Sequence, residues 1–287
     1  MSDTILTTVD ASGIAAITLN RPDVRNALDE PMIAALTAAL RDFDADPAVR
    51  VVVLAANGDH FCAGADINEM RGAAHHTRAR NEKSARAMAG VFHALYTLTK
   101  PTVACVHGAV RGGGVGLVAA SDIVIAGHNA TFRLSEVRLG IIPAMISPYM
   151  LAAVGARNAR RYFTTGETFD AAEAHRIGLV HDVVADADLP QRASDLLAHL
   201  LANGPHAVAA AKALIADVDG RPIDEALIKL TARRIADIRT TAEAREGLAA
   251  FLEKREPVWI QPAVQEKSST AKTRRRKRPQ RKSKRTT

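Results

Sequence analysis

KPTVACVHGAVRGGGVGLVAASDIVIAG, residues 100–127, decides the fold. Its first half, PTVACVHG, is an apolar run closed by Gly108, the composition of a strand buried on both faces. Gly112, Gly113 and Gly114 then lead into small residues that read as a helix, and DIVIAG reads as the next strand. Strand, helix and strand in that order predict an α/β fold with helices covering a sheet.

Working outward, RVVVLAA (50–56) is a second continuous β-branched run, followed by the glycine-containing loop GDHFCAGADINEM (58–70). Loops that leave buried strands are where function concentrates. Upstream, TILTTVD and GIAAITLN alternate as two strands joined at Ser12-Gly13, a hairpin that Arg21-Pro22 stops. Asp29 and Pro31 open an apolar-periodic helix through Leu40. Residues 75–99 read as a long helix. From about Asp170 the pattern is almost wholly helical, with segments 187–202, 207–216 and 225–254. The expected organisation is a core over 1–200, a C-terminal helical region over 201–262 and a basic tail over 263–287.

The glycine loops exclude as much as they suggest. GGGVG lacks both the Gly-x-Gly-x-x-Gly spacing of a dinucleotide site and the Gly-Lys-Ser/Thr ending of a phosphate loop. Without a Cβ, glycine lets backbone N–H groups approach a ligand closely, and two such groups on one oxygen make an oxyanion hole. A helix starting at Gly112 to Gly114 adds its positive end.

FCAGADINEM, KPTVACVHGAVRGGGVGLVAASDIVIAG and TFRLSEVRLGIIP together resemble, in order, the three signature blocks of the enoyl-CoA hydratase/isomerase (crotonase) family. LNRPDVRNAL and EGLAAFLEKREPVW resemble the family's two ends, so the likeness spans Thr4 to Trp259. The resemblance implies a spiral of ββα units whose last helices pack around neighbours in a trimer or a pair of trimers. It implies that the N–H groups of Ala65 and Gly113 hold a thioester oxygen. Arg25, Ala27, Ala63, Ala65, Asp66, Ile67 and Asn68 line the CoA site, with Arg25 facing phosphates. CoA arrives as part of the acyl-CoA substrate, so no separate cofactor is expected.

Glu136 matches the family's catalytic glutamate. Where typical hydratases of the family carry a second glutamate this chain has Gly116, which leaves Arg111, Ser147 and Tyr149 as candidate helpers. GIIPAMISPYM (140–150) resembles the bacterial subgroup acting on branched or carboxylated glutaconyl-CoA thioesters. An aspartate nucleophile of dehalogenating relatives would fall at Ala144, which argues against covalent displacement. The implied activity is hydration of a 2-enoyl-CoA, with double-bond isomerisation as the alternative.

Composition sets the remaining expectations. With 287 residues and 47% hydrophobic content the chain can bury a large core. No long apolar run suggests a membrane span. MSDTILTTVD has neither a basic start nor an apolar core, so the cytoplasm is the expected compartment. Cys62 and Cys105 sit in apolar stretches and read as packing residues, Cys62 close enough to the loops to line the site. His75-His76 lacks spaced partners, so no metal site is expected. Residues 267–287 carry eleven of the 38 Lys/Arg and no acid, which leaves 27 bases against 31 acids, a body of about −4. Such a segment is expected to be disordered. It reads first as a solvated tail, and secondly as an arm for nucleic acid or another polyanion, in which case the body is a scaffold.

Overall fold

The computed structural model describes residues 3–73 and 75–260; the tail expectations therefore lie outside the described residues. The hairpin forms as its alternation requires: β1 (Ile5–Val9) pairs antiparallel with β2 (Ile14–Leu19), Ile5 opposite Leu19. The carboxylate of Asp29 accepts from the Met32 amide and opens α1 (Glu30–Ala45), with Pro31 in its first turn. The apolar runs become β3 (Val51–Ala56) and β4 (Thr102–Val106), separated by α2 (Ile67–Ala73) and α3 (Arg78–Thr97). A three-residue strand, β5 (Ala109–Arg111), precedes α4 (Gly113–Ala120) and β6 (Ile123–Gly127).

Another short strand, β7 (Thr131–Arg133), is followed by a 3-10 turn over Glu136–Leu139, α5 (Ser147–Thr165), β8 (Thr168–Asp170) and α6 (Ala171–Arg176). Beyond β9 (Asp182–Val184) come α7 (Leu189–Leu201), α8 (Pro205–Val218), α9 (Glu225–Arg239) and α10 (Ala242–Glu253). The main sheet runs β1-β2-β3-β4-β6-β9, parallel from β2 onward. Val52, Leu54, Ala104, Val106 and Val124 face a large core built with α1, α3, α4 and α5. Val51, Val103 and Ile125 face Leu189, Ala193 and Leu197 of α7. Burial on both faces is why these strands read as unbroken apolar runs.

Several elements differ from the sequence expectation. The region after Asp170 is not wholly helical, since β9 forms the sheet's last strand. Segment 225–254 is two helices, broken where the Thr241 hydroxyl accepts from the Ala244 amide and caps α10. A second sheet, β5-β7-β8, stands apart from the first, and it places the site. Among the described residues, no helix is long and apolar enough to cross a membrane.

Candidate active site

Three strand pairings of one or a few residues bring the site together. Loop 57–66 leaves β3 and meets β5 through a parallel bridge between Cys62 and Val110, with Cys62 N–H donating to Ala109 O (3.1 Å) and Arg111 N–H to Cys62 O (2.9 Å). β5 in turn pairs parallel with β7, and Gly112 N–H donates to Arg133 O (3.0 Å), three residues before Glu136. On the other side of the loop, Leu28 bridges Ala65: its N–H donates to Gly64 O (2.7 Å) and its carbonyl accepts from Asp66 N–H (2.9 Å).

In a parallel bridge the residue between the two bonded groups turns its own N–H away from the partner strand. Ala65 N–H therefore points to the open side, and among the described residues it has no hydrogen-bond partner. Gly113 is the first residue of α4, where the helix supplies no acceptor for its amide, and it too has none among the described residues. Ala65 is exposed and Gly113 partly so.

The carboxylate lies against the same glycines. A Cβ at Gly112 would stand 3.2 Å from Glu136 Oε1 and 3.9 Å from the Gly64 Cα, which locates Glu136 at the junction of the two loops. Gly112 also holds φ 44°, ψ −113°, a backbone state that disfavours any side chain. Glu136 Oε2 is buried with no hydrogen-bond partner among the described residues. Burial pushes the Glu136 carboxyl above its ordinary range, opposed by its own backbone amide. A half-buried, incompletely bonded carboxylate beside two free amides can accept and return a proton next to a stabilised oxyanion.

Most of the CoA-site expectations fall on loop 63–68 and its neighbours, with qualifications. Ala65, Ile67 and Asn68 are exposed along one edge. The Asp66 carboxylate is turned inward, paired with Arg21 (3.0 Å) and accepting from Asn68 N–H (2.9 Å), so its side chain braces the loop. Ala63 N–H is spent on Arg25 O (2.9 Å); the Arg25 side chain is exposed, while Ala27 is buried. Cys62 does not line the site. It is fully buried, its β carbon and sulfur under Gly114, with the thiol pushed up to about 12 by burial.

The space at Gly116 is filled: a Cβ there would approach Ile146 Cγ2 to 2.3 Å and Phe92 Cε1 to 2.9 Å. Packing thus leaves no room for a second carboxylate. Of the candidate helpers, Arg111 is committed to Val110 O (3.0 Å), Thr131 O (2.6 Å) and the Thr131 hydroxyl (3.0 Å), and Ser147 donates to Ala144 O (2.8 Å). Tyr149 packs between Phe92 and Tyr96, centroids 6.2 and 5.3 Å away, and burial raises its phenol.

Arg21 and Asn26 have no counterpart in the sequence reading. Asn26 is fully buried; its Oδ1 accepts from Arg21 N–H (2.7 Å), and its Nδ2 donates to Asn57 O (2.8 Å) and His60 O (2.9 Å). Arg21 ties Asp29 and Asp66 together, each at 3.0 Å. The signal available was the Arg-Asn pair after LNRPDV, because asparagine tolerates the left-handed backbone that Asn26 adopts at φ 55°. A concavity of about 550 Å³, lined among others by His128, Asp170, His175 and Asp182, shares no lining residue with this site.

The site gathers two amides without partners among the described residues and one half-buried carboxylate, joined by a small satellite sheet beside a parallel sheet. The chain belongs to the enoyl-CoA hydratase/isomerase family, which it matches over residues 10–262. It is 41% identical to an enoyl-CoA hydratase from Shewanella pealeana, whose structure superposes with a TM-score of 0.86 over 89% of this chain and 96% of that one. AtuE of Pseudomonas aeruginosa is likewise 41% identical, with a TM-score of 0.86 over 90% of this chain and all of that protein. A mevalonyl-coenzyme A hydratase of Aspergillus fumigatus, sidH, is 34% identical over 251 residues, 86% of this chain and 91% of that protein. The fold is crotonase-like, a mixed α/β body with helices at its C-terminal side.

Proposed function

We propose that the chain hydrates the α,β double bond of a 2-enoyl-CoA with Glu136 as its sole carboxylate. The ionised carboxylate takes a proton from water as the oxygen bonds to the β carbon. Charge moves onto the thioester oxygen, held by the N–H groups of Ala65 and Gly113, and the neutral acid returns its proton to the α carbon. Atoms balance: one water is added and Glu136 ends as it began. The observation that carries this is the junction of Gly64, Gly112 and Glu136, with Ala65 and Gly113 beside it. Arg25, Ala27, Ala63 and the edge 65–68 hold the CoA part in this reading.

We take the acyl group to be branched or glutaconyl-type. The likeness of GIIPAMISPYM to that subgroup supports this, as does the mevalonyl-coenzyme A named for the Aspergillus relative. The reading includes a cytoplasmic homo-oligomer, a trimer or a pair of trimers. Ile215, Phe251 and Leu252 on the C-terminal helices are largely exposed in the single chain, an apolar area suited to burial against other copies. Loss of enoyl-thioester absorbance with crotonyl-CoA and 3-methylglutaconyl-CoA tests the activity; no loss with either overturns it. The single carboxylate also favours a second reading, double-bond isomerisation, because one group can shuttle one proton. Turnover in labelled water separates the two: label in a hydroxyacyl product supports hydration, and a shifted double bond without label supports isomerisation.

A further inference from the structure

The satellite sheet carries two arginines that no step of the thioester chemistry uses. β5 and β7 run parallel with Arg111 opposite Arg133, and β8 lies on the far side of β7 with Thr168 opposite Arg133. Val110 and Phe132 are fully buried on the inner face, so strand alternation puts both arginines on the outer one. We propose that Arg111 and Arg133 form a binding site for an oxyanion of the phosphate class, on the side of the satellite sheet turned away from Glu136.

Charge is the first argument. Both arginines are half-buried, and among the described residues neither is ion-paired. Burial lowers the pKa of the Arg111 guanidinium, and the neighbouring Arg133 charge lowers it further, so the two cations are close enough to repel. Partly desolvated charges in proteins are normally paired. One anion shared between these two relieves the desolvation and the repulsion together.

Pre-organisation is the second argument. Arg111 Nη1 donates to Val110 O (3.0 Å) and Thr131 O (2.6 Å), its Nη2 donates to the Thr131 hydroxyl (3.0 Å), and Arg133 Nε donates to Gly166 O (2.8 Å). Every one of these acceptors is neutral, so the bonds fix the guanidiniums without neutralising them. Neither arginine has a nitrogen that is both enclosed and unbonded, so the terminal N–H groups of Arg133 open to solvent. Guanidiniums on two adjacent strands offer donors from two directions. The oxygens of a tetrahedral phosphate can accept from both, whereas a carboxylate matches one fork.

The pair stands apart from the thioester cleft. A Cβ at Gly112 would face Glu136 Oε1 at 3.2 Å, and Arg111, one residue earlier, projects the other way. Burial and its own backbone amide, not these cations, shift Glu136. An oxyanion on the pair braces β5 against β7, the pairing that sets Gly112 beside Glu136.

The test is calorimetric titration of the full chain with inorganic phosphate at constant ionic strength in chloride, repeated on R133Q, R133K and R160Q. Arg160 is an exposed arginine of α5 whose loss removes the same charge. The parent and R160Q should bind alike. R133Q should bind about 10 to 100 times more weakly, because it loses hydrogen bonds between charged partners, and R133K, which keeps the charge but not the fork, should fall between. Phosphate should raise the melting temperature of the parent and not that of R133Q. CoA and dephospho-CoA should both leave phosphate binding unchanged. Absence of phosphate binding by the parent overturns the proposal, in favour of a contact between copies if R133Q also sediments as a smaller species. Parental affinity in R133Q overturns it too; should R133Q fail to fold, parental affinity in R133K does the same. An equal loss in R160Q overturns it in favour of unspecific charge. Displacement of phosphate by CoA overturns it, in favour of a subsite for the CoA 3′-phosphate if dephospho-CoA does not displace. None of these readouts depends on which thioester reaction the body performs.

Discussion

Exchanging the Ala65 amide for an ester, by placing lactic acid at position 65, removes one N–H and almost nothing else. That N–H has no partner among the described residues, so the exchange breaks no hydrogen bond it makes. The bridge to Leu28 persists through Asp66 N–H at 2.9 Å, while Gly64 O, now an ester carbonyl, becomes a weaker acceptor for Leu28 N–H. The stability loss should be about 1 kcal/mol at most. Losing one oxyanion donor should lower kcat by about 10² to 10³, roughly 3 to 4 kcal/mol of transition-state stabilisation. Ala63 is the control, because its N–H is spent on Arg25 O at 2.9 Å. An ester there should lower the melting temperature and leave kcat near that of the unaltered enzyme. Steady-state enoyl-thioester hydration with thermal unfolding reads both. A kcat within about fivefold of the parent for the position-65 ester would refute the placement of that amide at the developing charge.

Other consequences follow from burial and packing. Because Glu136 titrates above an ordinary carboxylate, its charged form destabilises the fold. That penalty is absent below the unfolded-state pKa and complete above the folded-state one; E136Q should therefore melt higher than the parent at neutral pH, with the gain vanishing near pH 4. The same titration should set the acid limb of kcat/KM at a pH above the ordinary carboxylate range, and that limb should disappear in E136Q. Gly116→Ala should destabilise by about 1 to 3 kcal/mol through overpacking on Ile146 and Phe92, and its cost should shrink in an I146A background, which lacks the clashing Cγ2, in a double-mutant cycle by denaturant unfolding. Asn26→Ala strands Asn57 O, His60 O and Arg21 N–H, and should lower stability by about 2 to 4 kcal/mol in the same assay.

The parts legible in the sequence are those written in local terms. The unbroken run VVVLAA, the Asp29 cap and the three glycines each carry their structure within a few residues, and each forms where the pattern placed it. The satellite sheet does not: β5, β7 and β8 are three residues each, too short for any periodicity, and they pair across 22 residues (Ala109 with Thr131) and up to 39 residues (Thr131 with Asp170). α5 is interrupted by Gly155 at φ 71° directly after a proline-containing stretch, which masks its helical pattern. The same limit applies to the site. Ala65, Gly113 and Glu136 stood out by motif, but the inward turn of Asp66 and the clamp at Asn26 are set by Arg21, Asn57 and His60 through tertiary contacts. Position 116 is the clearest case. The sequence shows a glycine there; only packing shows that Ile146 and Phe92 have taken the volume.

The catalytic account rests on Glu136 moving the proton while the two amides hold the charge, and a single-turnover comparison of parent and E136Q with excess enzyme over crotonyl-CoA addresses it without product release. The account predicts that E136Q binds the thioester with similar affinity and that its chemical step slows by about 10² to 10⁴. A chemical step in E136Q as fast as in the parent would contradict it.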